Sequence, residues 1–266
     1  METTAAEVLS LFNVTRATEE EFSSWKKDRN RCNTVVPHVL GHKTKVLYRV
    51  TPADIDRIRK NKDPRNHALG DIKRREGEMV GSIVDWEPDY AVTHVLHYAL
   101  EEIGEVFTWQ HFQSFCEEDP KAREMLWMPA IEKVEEAKRA GWSYVQAHNA
   151  MRWRIGNFYY SFIREVHLVA SLRMHEVDVR SHPLADALFR VDAWWDRTIL
   201  SLYIGNRKFK GGGSRGRKKR PEDLLRNAIP GFSFRSIELL PADRFGVVYL
   251  ASERDIKREV NRLKFS

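Results

Sequence analysis

The sequence predicts an α+β protein, with a helical N-terminal part followed by a mixed β-sheet flanked by helices. Three observations carry this expectation. Apolar residues recur at helical spacing through most of residues 1–141. Beyond Gly141 the pattern changes to helix, strand, strand, strand, helix, strand, strand, helix, the series of a sheet covered by helices. Two apolar, aromatic runs of strand length, 188–195 and 198–204, are separated only by Asp196 and Arg197, which is hairpin spacing. The chain is accordingly divided into 1–141 and 142–266.

Taken in order, Thr3 or Thr4 is placed to cap a first helix through Leu11, and Thr18-Glu-Glu-Glu reads as a capping box ahead of Phe22 and Trp25. Lys43-Thr-Lys-Val-Leu-Tyr-Arg-Val50 reads as a short strand. Thr51-Pro52 is a helix start with proline at the first helical position. The polar stretch 59–78 is expected at the surface with a helical turn or two. Asp89 opens a helix whose Val92, Val95, Leu96, Ala99, Leu100 and Ile103 share a face, and Gly104 ends it. Thr108 caps the next, stopped by Pro120, and a charged helix with Pro129 in its path runs to about Gly141. Ser143 caps the longest pattern, striped by Met151, Ile155, Phe158, Tyr159, Phe162, Val166 and Val169. A short strand is expected near 177–180. After the hairpin come a helix from Pro221, strands at 234–240 and 246–251, and a last basic helix capped by Ser252.

The 266 residues suffice for a sizeable core. The net charge is +6, and the segment 207–220 alone exceeds that excess. An anionic partner follows from this uneven distribution more than from the total. No apolar run approaches the length of a membrane span, and the first residues lack a basic, cleavable leader pattern, so a cytoplasmic protein with no membrane association is expected. Cys32 and Cys116 have no CxxC partner and are expected to be free thiols.

The candidate chemistry lies between His175 and Arg220. If 188–195 is a strand, Asp192 shares a face with Arg190 and Trp194, between the apolar Val191 and Ala193. A carboxylate there needs a partner. A divalent cation, held with Asp178 or Asp186, is one partner and Arg190 is the other. Glu165, on the preceding helix, can join such a cluster or pair with an arginine. His175 and His182 bracket the acids as acid/base candidates. Directly after the hairpin, the arm RKFKGGGSRGRKKR carries eight basic residues and no acid: Arg207, Lys208, Lys210, Arg215, Arg217, Lys218, Lys219 and Arg220. Its glycines let guanidinium groups follow phosphates, and Trp194 and Trp195 are nearby rings for stacking on bases. The sequence holds no Walker loop, GxSxG, HExxH or strand-led GxGxxG.

From about 143 to 251 the order helix, three strands, helix, strand, with aspartates at the hairpin, resembles the PD-(D/E)XK nuclease superfamily, the restriction endonuclease-like fold. The resemblance implies a DNA endonuclease of restriction or defence type that uses Mg²⁺ or Mn²⁺, with RNA as a further possible substrate. It makes Asp192 the strand acid, Asp186 a further ligand, Glu165 the helical acid and Lys208 the lysine that orients or deprotonates water. The helical part would serve recognition or dimerisation, and a homodimer is implied. The chain departs from the family at the third element: Ser201 or Tyr203 stands where an acid belongs, and the nearest lysine, Lys208, lies beyond Gly205 and Asn206. Two rivals remain open. One is a non-catalytic nucleic-acid-binding protein with structural acids; the other is an enzyme centred on His94, His97 and His111.

Overall fold

The computed structural model describes residues 1–59, 67–204, 220–239, 243–245 and 248–264. The protein is mixed α+β, mostly helical with small sheets. The chain packs as two compact units, Met1–Pro52 with Arg164–Ser266, and Ala53–Ile163. Gly141, where the pattern suggested a division, lies inside the second unit. The helix that follows it is continuous, so local composition carries no mark at the point where its packing partners change.

In the first unit, β1 (Thr3–Thr4) pairs antiparallel with β2 (Lys43–Thr44). Helix α1 (Ala5–Phe12) starts at Thr4, whose hydroxyl and the Glu7 carboxylate form a reciprocal capping box. Helix α2 (Arg16–Lys27) starts earlier than expected. Thr15 is its cap and Thr18 is the buried third residue that reaches back to it. Helix α3 (Val35–Gly41) leads into β2, but the expected strand at 43–50 is two residues of strand followed by a 3₁₀ turn, Val46–Arg49. Thr44, Val46, Leu47 and Val50 are the buried residues there, and the strict alternation of a strand breaks at the adjacent Val46 and Leu47, where the 3₁₀ turn begins.

The second unit comprises α4 (Pro52–Arg59, from Ala53 on), α5 (Arg74–Gly77), α6 (Gly81–Val84), α7 (Val92–Ile103), α8 (Trp109–Glu118), α9 (Pro120–Ala122), α10 (Met128–Arg139) and the start of α11 (Tyr144–Met174). Helix α7 begins at Val92 rather than Asp89 and ends at Gly104 in the left-handed region, φ +83°. Between α9 and α10 a π-helical turn, Arg123–Trp127, precedes Pro129. Proline cannot donate to the carbonyl four residues back, and the widened turn carries the path through. Phe107, Phe112, Tyr159 and Phe162 stack in the centre of this unit, with ring centroids 5.5–6.4 Å apart in the contacting pairs.

Helix α11 starts at a capping box in which the Ser143 hydroxyl accepts from Gln146 N at 3.2 Å and Gln146 Oε1 accepts from Ser143 N at 3.0 Å. It closes without glycine. Glu176 takes φ +60°, and Val177 N donates to Leu172 O at 3.2 Å. Residues 177–181 then turn tightly, Val179 N donating to Val177 O at 2.7 Å, and meet the sheet at an antiparallel bridge, Arg180 to Trp194. The first part of the expected strand 188–195 is instead helix α12 (Pro183–Phe189). His182, Pro183 and Asp186 supply a cap, a proline at the first helical position and an acid in the first turn, and this start signal outweighs the apolar run. The hairpin forms as β3 (Ala193–Trp195) and β4 (Thr198–Ile204), with Asp196 at φ +48° in its two-residue turn. Helix α13 (Pro221–Leu225) leads to β5 (Ser233–Leu239), which pairs parallel with β4. A separate antiparallel pair, β6 (Asp243–Phe245) and β7 (Val248–Leu250), precedes α14 (Glu253–Lys264). Cys32 and Cys116 are free, and among the described residues no helix is long and apolar enough to cross a membrane.

Candidate functional site

The first unit gathers buried polar side chains where α11, the segment 177–181, α12 and the 3₁₀ turn meet. Glu165, on the last part of α11, is 7% exposed and accepts a short hydrogen bond from the Ser181 hydroxyl. Tyr48 brackets the Ser181 backbone, donating to its carbonyl at 3.0 Å and accepting from its N–H at 3.3 Å. Because that phenol has one proton, the Thr3 hydroxyl must donate to it, at 2.6 Å. Burial pushes the Tyr48 hydroxyl up to about 12, against the opposing pull of Thr3, Ser181, Arg180 and Arg173. It therefore stays protonated and holds the 181 peptide in place.

His182 is fully buried. Its Nδ1 accepts from Leu184 N at 3.1 Å, which leaves the proton on Nε2, 3.3 Å from the His42 carbonyl oxygen. The His42 and His182 rings meet edge to face at 5.2 Å. A short run of sequence thus delivers a hydroxyl to Glu165 and an imidazole to the start of α12. The arrangement orients one carboxylate and one neutral histidine in a dry environment.

The remaining predicted residues fall in different settings. Asp178 is exposed and ion-paired, with Arg173 Nη1 at 2.5 Å and Arg180 Nη2 at 3.2 Å. Partial burial raises its carboxyl, but hydrogen bonds and charge from the two arginines prevail and hold it below the usual range. Asp186 sits in the first turn of α12, where the helix dipole favours an acid. Asp192 is half-buried just ahead of β3, not on the strand, and its Oδ2 accepts from Leu202 N at 2.8 Å. Ala193 is the first residue of β3 in register, opposite Leu200, so this bond extends the ladder by a side chain where β3 has ended. Arg190, expected beside Asp192, is the exposed left-handed residue that ends α12, at φ +62°. His175 is half-buried just beyond the end of α11.

Trp194 is 4% exposed, its ring edge-on to Phe12 at 5.2 Å, so it belongs to the core and not to a stacking surface. Trp195 is half-buried. Arg207, Lys208, Lys210, Arg215, Arg217, Lys218 and Lys219 lie outside the described residues; Arg220 is exposed at the start of α13. Among the described residues no three His, Cys, Asp or Glu side chains converge as a metal-ligand group. In the second unit His94 and His97 are each 1% exposed, packed on Tyr90 and Phe162, while His111 is exposed on α8, so the three do not share one environment.

Several polar residues of the interior had no signal in the sequence pattern. Ser181 and Tyr48 carry no motif. Asp255 and Glu259, 4% and 2% exposed on α14, are held by Arg258 and Arg262 at 2.9–3.1 Å. Their spacing of four on one helix face was the available clue. Comparison with family models, curated proteins and solved structures finds no match to this chain.

Proposed function

We propose that the chain is a metal-dependent DNA endonuclease of restriction or defence type, working from the first unit. One observation carries the reading: the long helix α11 leads to the segment bridged at Arg180, then through helix α12 to β3 and β4, and on through helix α13 to β5, so that with α12 set aside as an insertion the order is helix, three neighbouring strand paths, helix, strand. This is in keeping with the α-β-β-β-α-β order of the PD-(D/E)XK resemblance. The basic arm leaves the same hairpin and suits a phosphate backbone.

The donors at hand are carboxylate oxygens, which suit Mg²⁺ or Mn²⁺; magnesium takes one or two protein carboxylates and completes its shell with water and phosphate. Asp192 and Asp186 would hold it. A metal held there would neutralise phosphate charge and lower the pKa of a water. Glu165 supports the site by fixing Ser181 and the start of α12, Lys208 orients the attacking water, and the arm from Arg207 to Arg220 holds the backbone.

Asp192 allows a clean test. Asparagine keeps an acceptor for the Leu202 N–H and removes the charge, so Asp192→Asn separates chemistry from folding. In a cleavage assay on plasmid and genomic DNA, wild type is expected to cut with Mg²⁺ or Mn²⁺ and not with EDTA. Asp192→Asn should lose roughly 100-fold or more, the scale of several kcal/mol of charge stabilisation. Full activity in that variant would sink the assignment.

The second reading is a nucleic-acid-binding protein without catalysis. The acids favour it in one respect, since Glu165, Asp178 and Asp192 each hold a structural hydrogen bond or ion pair. No metal-dependent cutting of unmodified DNA, modified DNA or RNA, with salt-sensitive binding retained, would select it.

A further inference from the structure

The second unit contains a cavity of about 380 Å³ lined by α8, the π turn, α10 and α11. Folded interiors hold few voids larger than a water molecule, and a mostly apolar cavity gains little from filling with water. Its size falls at the lower end of the range of small-molecule sites. Ala130, on α10, lines the cavity and belongs to the buried cluster beside it, and its small side chain leaves volume on that wall.

Four rings line the cavity: Trp109, Phe112, Trp127 and Tyr144. Trp109 and Phe112 are buried, whereas Tyr144 and Ile131, 55% and 42% exposed, stand at its open side. Planar ring faces favour a flat aromatic guest.

The charge at the cavity is uneven. His148 and Arg152, one turn apart on α11, both line it. The Arg152 guanidinium is fixed from behind, Nε donating to Ala68 O at 3.0 Å and Nη2 to His67 O at 2.7 Å. Gly70, at φ +55°, gives it room, since a Cβ there would lie 2.9 Å from Cζ. Among the described residues no carboxylate pairs with Arg152. The acid at the cavity, Glu135, is already neutralised by Lys138 at 2.7 Å. His148 stacks on Tyr144, ring centroids 5.5 Å apart, so its imidazole is held beside the aromatic wall. A half-buried cation, immobilised and without an acid, beside an aromatic cavity is a receptor for a carboxylate on an aromatic body.

We propose that this cavity binds an aromatic carboxylic acid, its ring among Trp109, Phe112 and Trp127 and its carboxylate on Arg152 and His148. The inference is independent of the nuclease reading, since it uses no residue of the first unit. The probes are 2-naphthoate and its neutral isostere 2-naphthamide, titrated into the full chain by tryptophan fluorescence and calorimetry. Saturable binding of the acid is expected, about tenfold or more tighter than the amide, the scale of one charge-assisted contact. Ala130→Phe, which projects a ring into the cavity, should abolish binding of both. His148→Ala, at an exposed position that does not threaten the fold, should weaken the acid and leave the amide unchanged. Absence of saturable binding by wild type, equal affinity for acid and amide, or acid binding that survives a folded Ala130→Phe chain would each overturn the proposal.

Discussion

The two units solve the interior differently. The first places hydrogen-bonded polar groups at its centre: Glu165 on Ser181, Tyr48 around the 181 peptide, His182 on α12. The second relies on stacked rings, Phe107, Phe112, Tyr159 and Phe162, with a cavity alongside. Polar contacts are directional and hold groups at set orientations, whereas apolar packing is non-directional.

The largest effect is expected from truncating a ring in the second unit. Phe107 is 1% exposed and packs against three of its aromatic neighbours. Phe107→Ala should cost about 3–5 kcal/mol in urea denaturation. A loss under about 1 kcal/mol would mean that this cluster collapses readily and that the contrast between the units is overstated.

Next comes the polar centre of the first unit. Glu165→Ala leaves the buried Ser181 hydroxyl without its acceptor and should cost roughly 1–3 kcal/mol, with Glu165→Gln milder. Adding Ser181→Ala should recover part of that loss, because the orphaned group is gone. A double-mutant cycle with no coupling would show that the short contact does not stabilise the fold.

The units should also separate by pH. In the second unit burial, and then Arg152, lower the pKa of both His67 and His148 from 6.5. A histidine held below its unfolded value contributes stability that is complete above pH 6.5 and is lost as pH falls through the depressed value. In the first unit Asp178 contributes above 3.8 and loses that contribution only at lower pH. Denaturation midpoints should therefore decline below neutrality through the second unit first. His67→Gln with His148→Gln should flatten that limb, and an unchanged slope would count against it.

The smallest effect is expected at Asp178 itself. Its side chain is 45% exposed between Arg173 and Arg180, so Asp178→Asn should cost no more than about 1 kcal/mol, read as a thermal midpoint shift that shrinks in high salt. A much larger loss would give this exposed pair a role like that of the buried polar centre.

Much of the local structure was legible. Thr4, Thr108, Ser143 and Ser252 each stand at a helix start, Gly104 ends α7, and Asp196 and Arg197 make the turn, because caps and two-residue turns are decided within a few positions. The difference at 188–195 has a local cause as well, since a short apolar run has no helix or strand period of its own and the start signal at His182 and Pro183 decides it. The site was less legible. Asp192 is a carboxylate that needs a partner, and the structure gives it a backbone N–H ten residues on, at Leu202. Trp194 looked like a stacking surface until Phe12 covered it.

By itself, then, the sequence determined the α+β character, several helix starts, the hairpin turn and the concentration of positive charge at 207–220. Only the tertiary structure decided that β5 would lie parallel to β4, that Glu165 would meet Ser181, and that Arg152 would be held by the turn at His67 and Ala68. The physical reason is range. A cap or turn is settled by neighbours within about four residues. Burial and pairing depend instead on which distant surfaces exclude water together, and a one-dimensional pattern does not specify those partners.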